Sequence, residues 1–269
     1  MASALAVGAL VAAASTPQPL ALEAGAHHPV LSPDGTTLLY SSVDHNGLKA
    51  LNLTSGDVTV IDEGASAGFN PVFSCDGSKV FYRTASVVDG LMYRDIRSFD
   101  FNNGAGRQLA APSRDRANLA SLGGASTYAF ADYRTIDVTV NGKSASLSPL
   151  PDAHSYLWAS LSPDASRLAF TEPFSGVYVS NVDGTEARRV LDKGDFASWA
   201  GESTLIAVVS HDDGYVILDS HLVAVDVNTG AVTTLTDDNM LVGEATASAS
   251  GLVVFSDLNG NMYMLNLNK

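Results

Sequence analysis

The chain has 269 residues, 46% of them hydrophobic and 16% charged. That balance excludes a disordered polymer, and no apolar stretch is long enough to cross a bilayer as a helix. Fifteen Lys and Arg against 29 Asp and Glu leave a net charge of −14, which excludes nucleic acid as a partner, because phosphate binding depends on basic side chains. With the single cysteine, Cys75, no internal disulfide forms, so packing and strand pairing must hold the fold.

The first residues, Ala4 to Ala14, form an uncharged run of small and apolar side chains followed by Ser15. This is close to a secretory h-region, although no Lys or Arg precedes it. Residues 1–16 are therefore set apart as a signal-like remnant or an extra edge segment, and residues 17–269 as one domain. The expected location is the periplasm or cell envelope of a bacterium, reached by export.

A repeat then begins. His28-Pro29-Val30-Leu31-Ser32-Pro33-Asp34-Gly35 leads into the apolar run Thr37 to Tyr40, then Leu48 to Leu53, then Val58 to Ile61. This predicts four strands. Asn70 to Gly77 with Val80-Phe81-Tyr82 repeats the opening, and Leu161 to Ala165 with Leu168-Ala169-Phe170 repeats it again. Setting the register on the aromatic that ends the second strand (Tyr40, Tyr82, Phe130, Phe170) places weaker copies at Gly123-Gly124, at Trp199 to Val209 and at Val253-Val254-Phe255. The six units are spaced by 42, 48, 40, 38 and 47 residues, the length of a four-stranded propeller blade. Each blade leaves an apolar face that only a neighbour covers. Asp-Gly and Gly-Gly supply the positive φ of a tight turn, and Pro33 and Pro163 preset the residue before it. The last unit ends on its third strand, Met262 to Leu267, and Leu20 to Gly25 resembles the missing fourth, so the N-terminus is expected to close the ring and remove its open edge.

The Ser-Pro-Asp-Gly turn, whole at Ser32 to Gly35 and altered at Ser74 to Gly77 and Ser162 to Ala165, resembles the repeats of TolB-like, WD-repeat-like six-bladed β-propellers. The same signature occurs in the propeller domain of prolyl oligopeptidase-type peptidases. The resemblance covers roughly Leu20 to Leu267. It implies an all-β, six-bladed propeller that binds partners of the cell envelope. TolB's additional N-terminal domain and the peptidases' hydrolase domain have no counterpart in this sequence. Fold alone does not fix function.

Chemistry is sparse. Gly64-Ala65-Ser66-Ala67-Gly68 has the spacing of a nucleophile elbow, but it joins an outer strand to the next inner strand rather than a strand to a helix, so it reads as a flexible small-residue loop. None of the Ser-x-Asp turns has both the further Gly and the Trp of a sialidase Asp box. All six histidines (His27, His28, His45, His154, His211 and His221) fall on the propeller face that carries the blade joins and the second-to-third turns. No His-x-His or His-Glu-x-x-His spacing accompanies them, so no metal and no cofactor is assigned. Arginines cluster in blades 2 and 3, and Arg94, Arg114, Arg116 and Arg134 are candidates for docking an anionic or acidic group on that face. His28, Asn70 and Trp158 align at the start of inner strands near the channel, whose mouth is the favoured ligand position in such rings. The reading is a non-catalytic scaffold for an envelope protein or a small anionic or carbohydrate ligand. The alternative is a carbohydrate-active propeller enzyme, of lyase or hydrolase type, using that same face.

Overall fold

The computed structural model describes residues 14–114, 126–237 and 239–267. Every regular element among them is a strand. A short first strand, β1 (Gln18–Leu20), precedes blade 1, which holds β2 (His27–Leu31), β3 (Thr37–Ser41), β4 (Leu48–Asn52) and β5 (Val58–Asp62). Blade 2 holds β6 (Val72–Phe73), β7 (Lys79–Val88), β8 (Leu91–Asp100) and β9 (Ala105–Ser113). Blade 3 holds β10 (Tyr128–Ala131), β11 (Ile136–Val140) and β12 (Lys143–Leu147). Blade 4 is built of β13 (Leu157–Leu161), β14 (Arg167–Glu172), β15 (Gly176–Asn181) and β16 (Arg188–Leu191), and blade 5 of β17 (Asp195–Trp199), β18 (Thr204–Asp212), β19 (Ile217–Asp226) and β20 (Val232–Thr234). Blade 6 contributes β21 (Val242–Ala247), β22 (Leu252–Asp257) and β23 (Met262–Asn266). All pairings are antiparallel between sequence neighbours, except that β1 adds to β23 as the fourth strand of blade 6. Gly123-Gly124, the turn expected in blade 3, lies outside the described residues.

The apolar side chains gather into clusters that each straddle two adjacent blades, one for every junction of the ring. The reason is the period of two along a strand. In β3, Leu38 and Tyr40 face blade 6 while Leu39 faces blade 2, and all three are buried. Ala169 and its flanking Leu168 and Phe170 divide likewise between blades 5 and 3. Second strands are apolar on both faces, so truncating Phe170 to alanine costs about 3–5 kcal/mol shared by neighbouring sheets.

The Ser-Pro-Asp-Gly motif earns its recurrence through hydrogen bonding. Ser32 Oγ donates to Asp34 Oδ1 at 2.6 Å and accepts from Thr37 N at 2.9 Å, while Asp34 Oδ1 accepts Thr36 N at 3.0 Å. The same three bonds recur around Ser74 and Asp76 at 2.5, 3.0 and 3.0 Å, and around Ser162 and Asp164 at 2.6, 3.0 and 3.0 Å. A tight turn is thereby satisfied by its own side chains. Being bonded as anions, these aspartates have their carboxyls held below the ordinary range, Asp164 down to about 2, with the Ser162 hydroxyl as the main cause.

Ring closure occurs, but through Gln18–Leu20, which shares only Leu20 with the expected Leu20 to Gly25. Gln18, Pro19 and Leu20 pair with Met264, Tyr263 and Met262, and Ser15 N donates to Asn266 O at 2.9 Å. Residues 21–26 instead carry the chain inward, burying Ala26 beside Leu38 and Val254. Between blades, inner strands diverge around the axis and cannot pair, so side-chain hydroxyls serve their amides: Thr246 Oγ1 accepts Leu31 N at 3.0 Å and Ser198 Oγ accepts Ala247 N at 3.1 Å.

Candidate binding site at the channel mouth

Inner strands enter the channel through a repeated irregularity. In β2 the register jumps between His27 and Val30, in β13 between Leu157 and Ser160, in β17 between Asp195 and Ser198, and in β21 between Val242 and Ala245. These are β-bulges, which bend a strand and re-aim a side chain. The bulged residue is left-handed at His28 (φ 58°), Trp158 (φ 47°) and Phe196 (φ 56°), and Asn70, just ahead of β6, matches them at φ 53°. Such a backbone costs a residue with a Cβ about 1–2 kcal/mol.

All four residues, each four positions before the first residue of the following turn, line one cavity of about 380 Å³ together with Glu244, which holds that position in blade 6. His28, Asn70 and Trp158 were legible from the repeat. Phe196 and Glu244 were missed, although counting back four from Ala200 and Ser248 finds them. The cavity opens on the face carrying the second-to-third turns, and His45 of the first such turn also lines it.

His28 Nδ1 lies 2.7 Å from Glu244 Oε1, bridging blades 1 and 6, and its Nε2 lies 3.1 Å from Val43 O. Burial pulls the imidazole pKa down, but the Glu244 carboxylate and the Val43 carbonyl outweigh it and raise the pKa above its ordinary value. The His45 ring stacks on His28 at 3.6 Å and meets Phe69 edge-on at 5.0 Å. Its pKa is lowered, first by burial and then by His28, and its Nδ1 is buried without a hydrogen-bond partner among the described residues. Across the cavity, Trp158 and Phe196 form an aromatic pair with centroids 4.5 Å apart.

The Gly64 to Gly68 segment is pinned rather than flexible. Gly68 N donates to His45 O at 3.0 Å, Gly47 N to Gly64 O at 3.0 Å and Ala85 N to Ala65 O at 2.8 Å, and Ala67 is fully buried. No helix follows it, so the elbow geometry is absent. Its bonds to His45 and Phe69 hold both at the cavity wall.

The three described arginine candidates do not line this cavity. Arg94 and Arg114 are exposed on blade 2, Arg134 is exposed in the β10–β11 turn, and none of the three lines the cavity; Arg116 lies outside the described residues. Arg97 has a structural role, donating to Asp95 Oδ2 at 2.9 Å and Asp62 Oδ2 at 2.8 Å. Arg83 holds its guanidinium 4.1 Å from the centre of the Phe130 ring. His154 and His211 stand apart from His28 and His45: His211 meets Asp219 at 2.8 Å and His154 lies 3.7 Å from Glu172. Among the described residues, no group of three or more His, Cys, Asp or Glu side chains is arranged to hold a metal ion.

Around the mouth, turns between second and third strands carry exposed apolar side chains: Val43, Leu91, Tyr133, Phe174 (80% exposed), Tyr215 (95%) and Leu258. The hairpins β7–β8 and β18–β19, on opposite blades, are the longest of the ring. No helix among the described residues is long and apolar enough to cross a membrane.

No family model and no curated protein matches the sequence. Solved structures do. The putative TolB from Agrobacterium tumefaciens superposes with a TM-score of 0.58 at 18% identity, over 90% of this chain and 89% of that one. A Bacteroides thetaiotaomicron protein of unknown function gives 0.62 at 12% identity over 95% and 73%, and the virginiamycin B lyase from Staphylococcus aureus gives 0.52 at 13% over 93% and 99%. At these identities, and with a lyase among the matches, the likeness speaks for architecture and leaves function to the site. By fold, this chain is a six-bladed β-propeller of the kind adopted by TolB.

Proposed function

We propose that the chain is a non-catalytic binding propeller of the bacterial cell envelope, and that its partner or ligand is recognised at the channel mouth lined by His28, Asn70 and Trp158. One observation carries this reading: four bulky residues hold a left-handed backbone at the same repeat position and turn toward one cavity. Backbone strain of this kind persists where the surroundings over-determine it, and it gathers at binding and catalytic sites. The apolar side chains around the mouth add a surface suited to a macromolecular partner. Arg94, Arg114 and Arg134 lie outside the cavity lining.

Photo-crosslinking in cells tests the proposal. A benzophenone side chain at Phe69 or Phe174, beside the mouth, should give a discrete adduct that Trp158→Ala abolishes, whereas one at Val60 on the exposed outer strand β5 should give none. Equal adducts from both faces, or adducts indifferent to Trp158→Ala, would overturn it. For the envelope assignment, residues 1–30 fused to alkaline phosphatase should yield active enzyme in a bacterial host; an inactive fusion counts against export.

A further inference from the structure

The hydrogen bonding of His28 leads beyond the existence of a site to the chemistry of what fills it. A carbonyl oxygen only accepts, so at 3.1 Å from Val43 O the Nε2 of His28 carries a proton. A carboxylate oxygen also only accepts, so at 2.7 Å from Glu244 Oε1 the Nδ1 carries one too. A neutral imidazole has a single N–H. With an acceptor facing each ring nitrogen, the geometry favours the imidazolium form of His28, whose charge balances Glu244. Each charged or titratable group packed against His28 is accounted for: Glu244 faces Nδ1, the neutral ring of His45 stacks on it, His27 lies 5.9 Å away, and Asp44 flanks His45.

We propose that the channel mouth binds an organic cation, an ammonium or guanidinium group, in exchange for the His28 proton. The inference rests on the mouth being a binding site and names the class of ligand. The charge of the walls supports it: no Lys or Arg lines the cavity, and Glu244 is the one carboxylate in its lining. Oε2 of Glu244 accepts no hydrogen bond among the described residues, and its side chain is 24% exposed. The aromatic pair Trp158 and Phe196, with Phe69 nearby, supplies ring faces whose negative quadrupole attracts cations. An anion would instead face the Glu244 carboxylate. When the ammonium approaches Glu244, two positive charges beside one carboxylate are unfavourable. His28 then gives up its Nδ1 proton to solvent, and the ligand takes over the pairing.

Titration calorimetry on the intact chain tests this with choline, N-acetyl-lysine methylamide and the neutral choline isostere 3,3-dimethyl-1-butanol. At pH 8 the cations should bind at least about tenfold more tightly than the isostere. Below the His28 pKa, affinity should fall toward about tenfold per pH unit, because the proton competes. Near that pKa, heats in Tris and in phosphate should differ, reporting proton release. Glu244→Gln should weaken choline at least about tenfold and Trp158→Ala at least about fivefold, with Trp158→Phe retaining most of the affinity. Preference for choline marks a small quaternary ligand, and preference for the lysine amide marks a side chain of a partner; either supports the cation site.

The proposal is overturned if the isostere matches choline within about twofold, if affinity is independent of pH, or if no cation binds up to about 50 mM, the weak end for so small a ligand. Choline failing while Trp158→Ala still abolishes crosslinks at the mouth removes the cation assignment and leaves the binding role standing.

Discussion

Replacing Ala165 by glycine relieves a conformation that the equivalent turns give to Gly35 and Gly77. The three residues close the same hydrogen-bonded turn with φ of 55°, 75° and 69°, and only Ala165 has a Cβ to strain. A left-handed alanine costs about 1–2 kcal/mol, and glycine returns about 0.4–1 kcal/mol of that through the freer unfolded chain. Ala165→Gly should therefore stabilise the protein by about 0.5–1 kcal/mol and raise Tm by about 1–4 °C. The converse change separates backbone strain from crowding. A Cβ at Gly77 would meet only Pro33 Cδ, at 3.8 Å, so Gly77→Ala should cost the backbone amount alone. A Cβ at Gly35 would lie 2.9 Å from Ser248 Oγ and 3.2 Å from its Cβ, so Gly35→Ala should cost about 1 kcal/mol more, by overpacking. Urea unfolding with an unchanged m-value reads all three. A lower midpoint for Ala165→Gly, or equal costs at Gly35 and Gly77, would refute the reasoning.

Further outcomes follow from the same geometry. Gly68→Ala should lose about 1–3 kcal/mol, because its Cβ would lie 2.1 Å from Ser41 Cβ; a thermal melt matching the wild type shows the segment yields. The Asp164 carboxyl, at about 2 in the folded protein against an ordinary 3.8, contributes stability that is complete above the ordinary value and lost as pH falls through about 2. Melts from pH 5 to pH 2 should fall less steeply in Asp164→Asn than in the wild type, and parallel curves would contradict the turn's charge. Cys75, with its thiol pushed up to about 11 by burial, should react with iodoacetamide at pH 8 far more slowly when folded than in urea; equal rates would place it in solvent.

The three clear Ser-Pro-Asp-Gly turns were readable because each is local: serine, aspartate and the amides they bond lie within six residues. The repeat length and the doubly apolar second strands then implied blades that are stable only as neighbours, and the shortened last unit implied closure by the N-terminus. The closing strand was misplaced because Leu20 to Gly25 imitates an outer strand in composition, whereas pairing with β23 is settled by where the chain must turn inward to bury Ala26. The site divides in the same way. His28, Asn70 and Trp158 share a repeat position, so sequence placed them together, but nothing local announces that the position is left-handed in a Trp or a Phe. The arginines were grouped by nearness in the chain; Arg94, which pairs with Ser113 and so stands beside Arg114, and Arg134 in the β10–β11 turn stay on the face of the mouth but outside the cavity lining. His28 and Glu244 stand 216 residues apart. Only closing the ring, with blade 6 against blade 1, brings that acid to that imidazole, and with it the charge that decides what the mouth can hold.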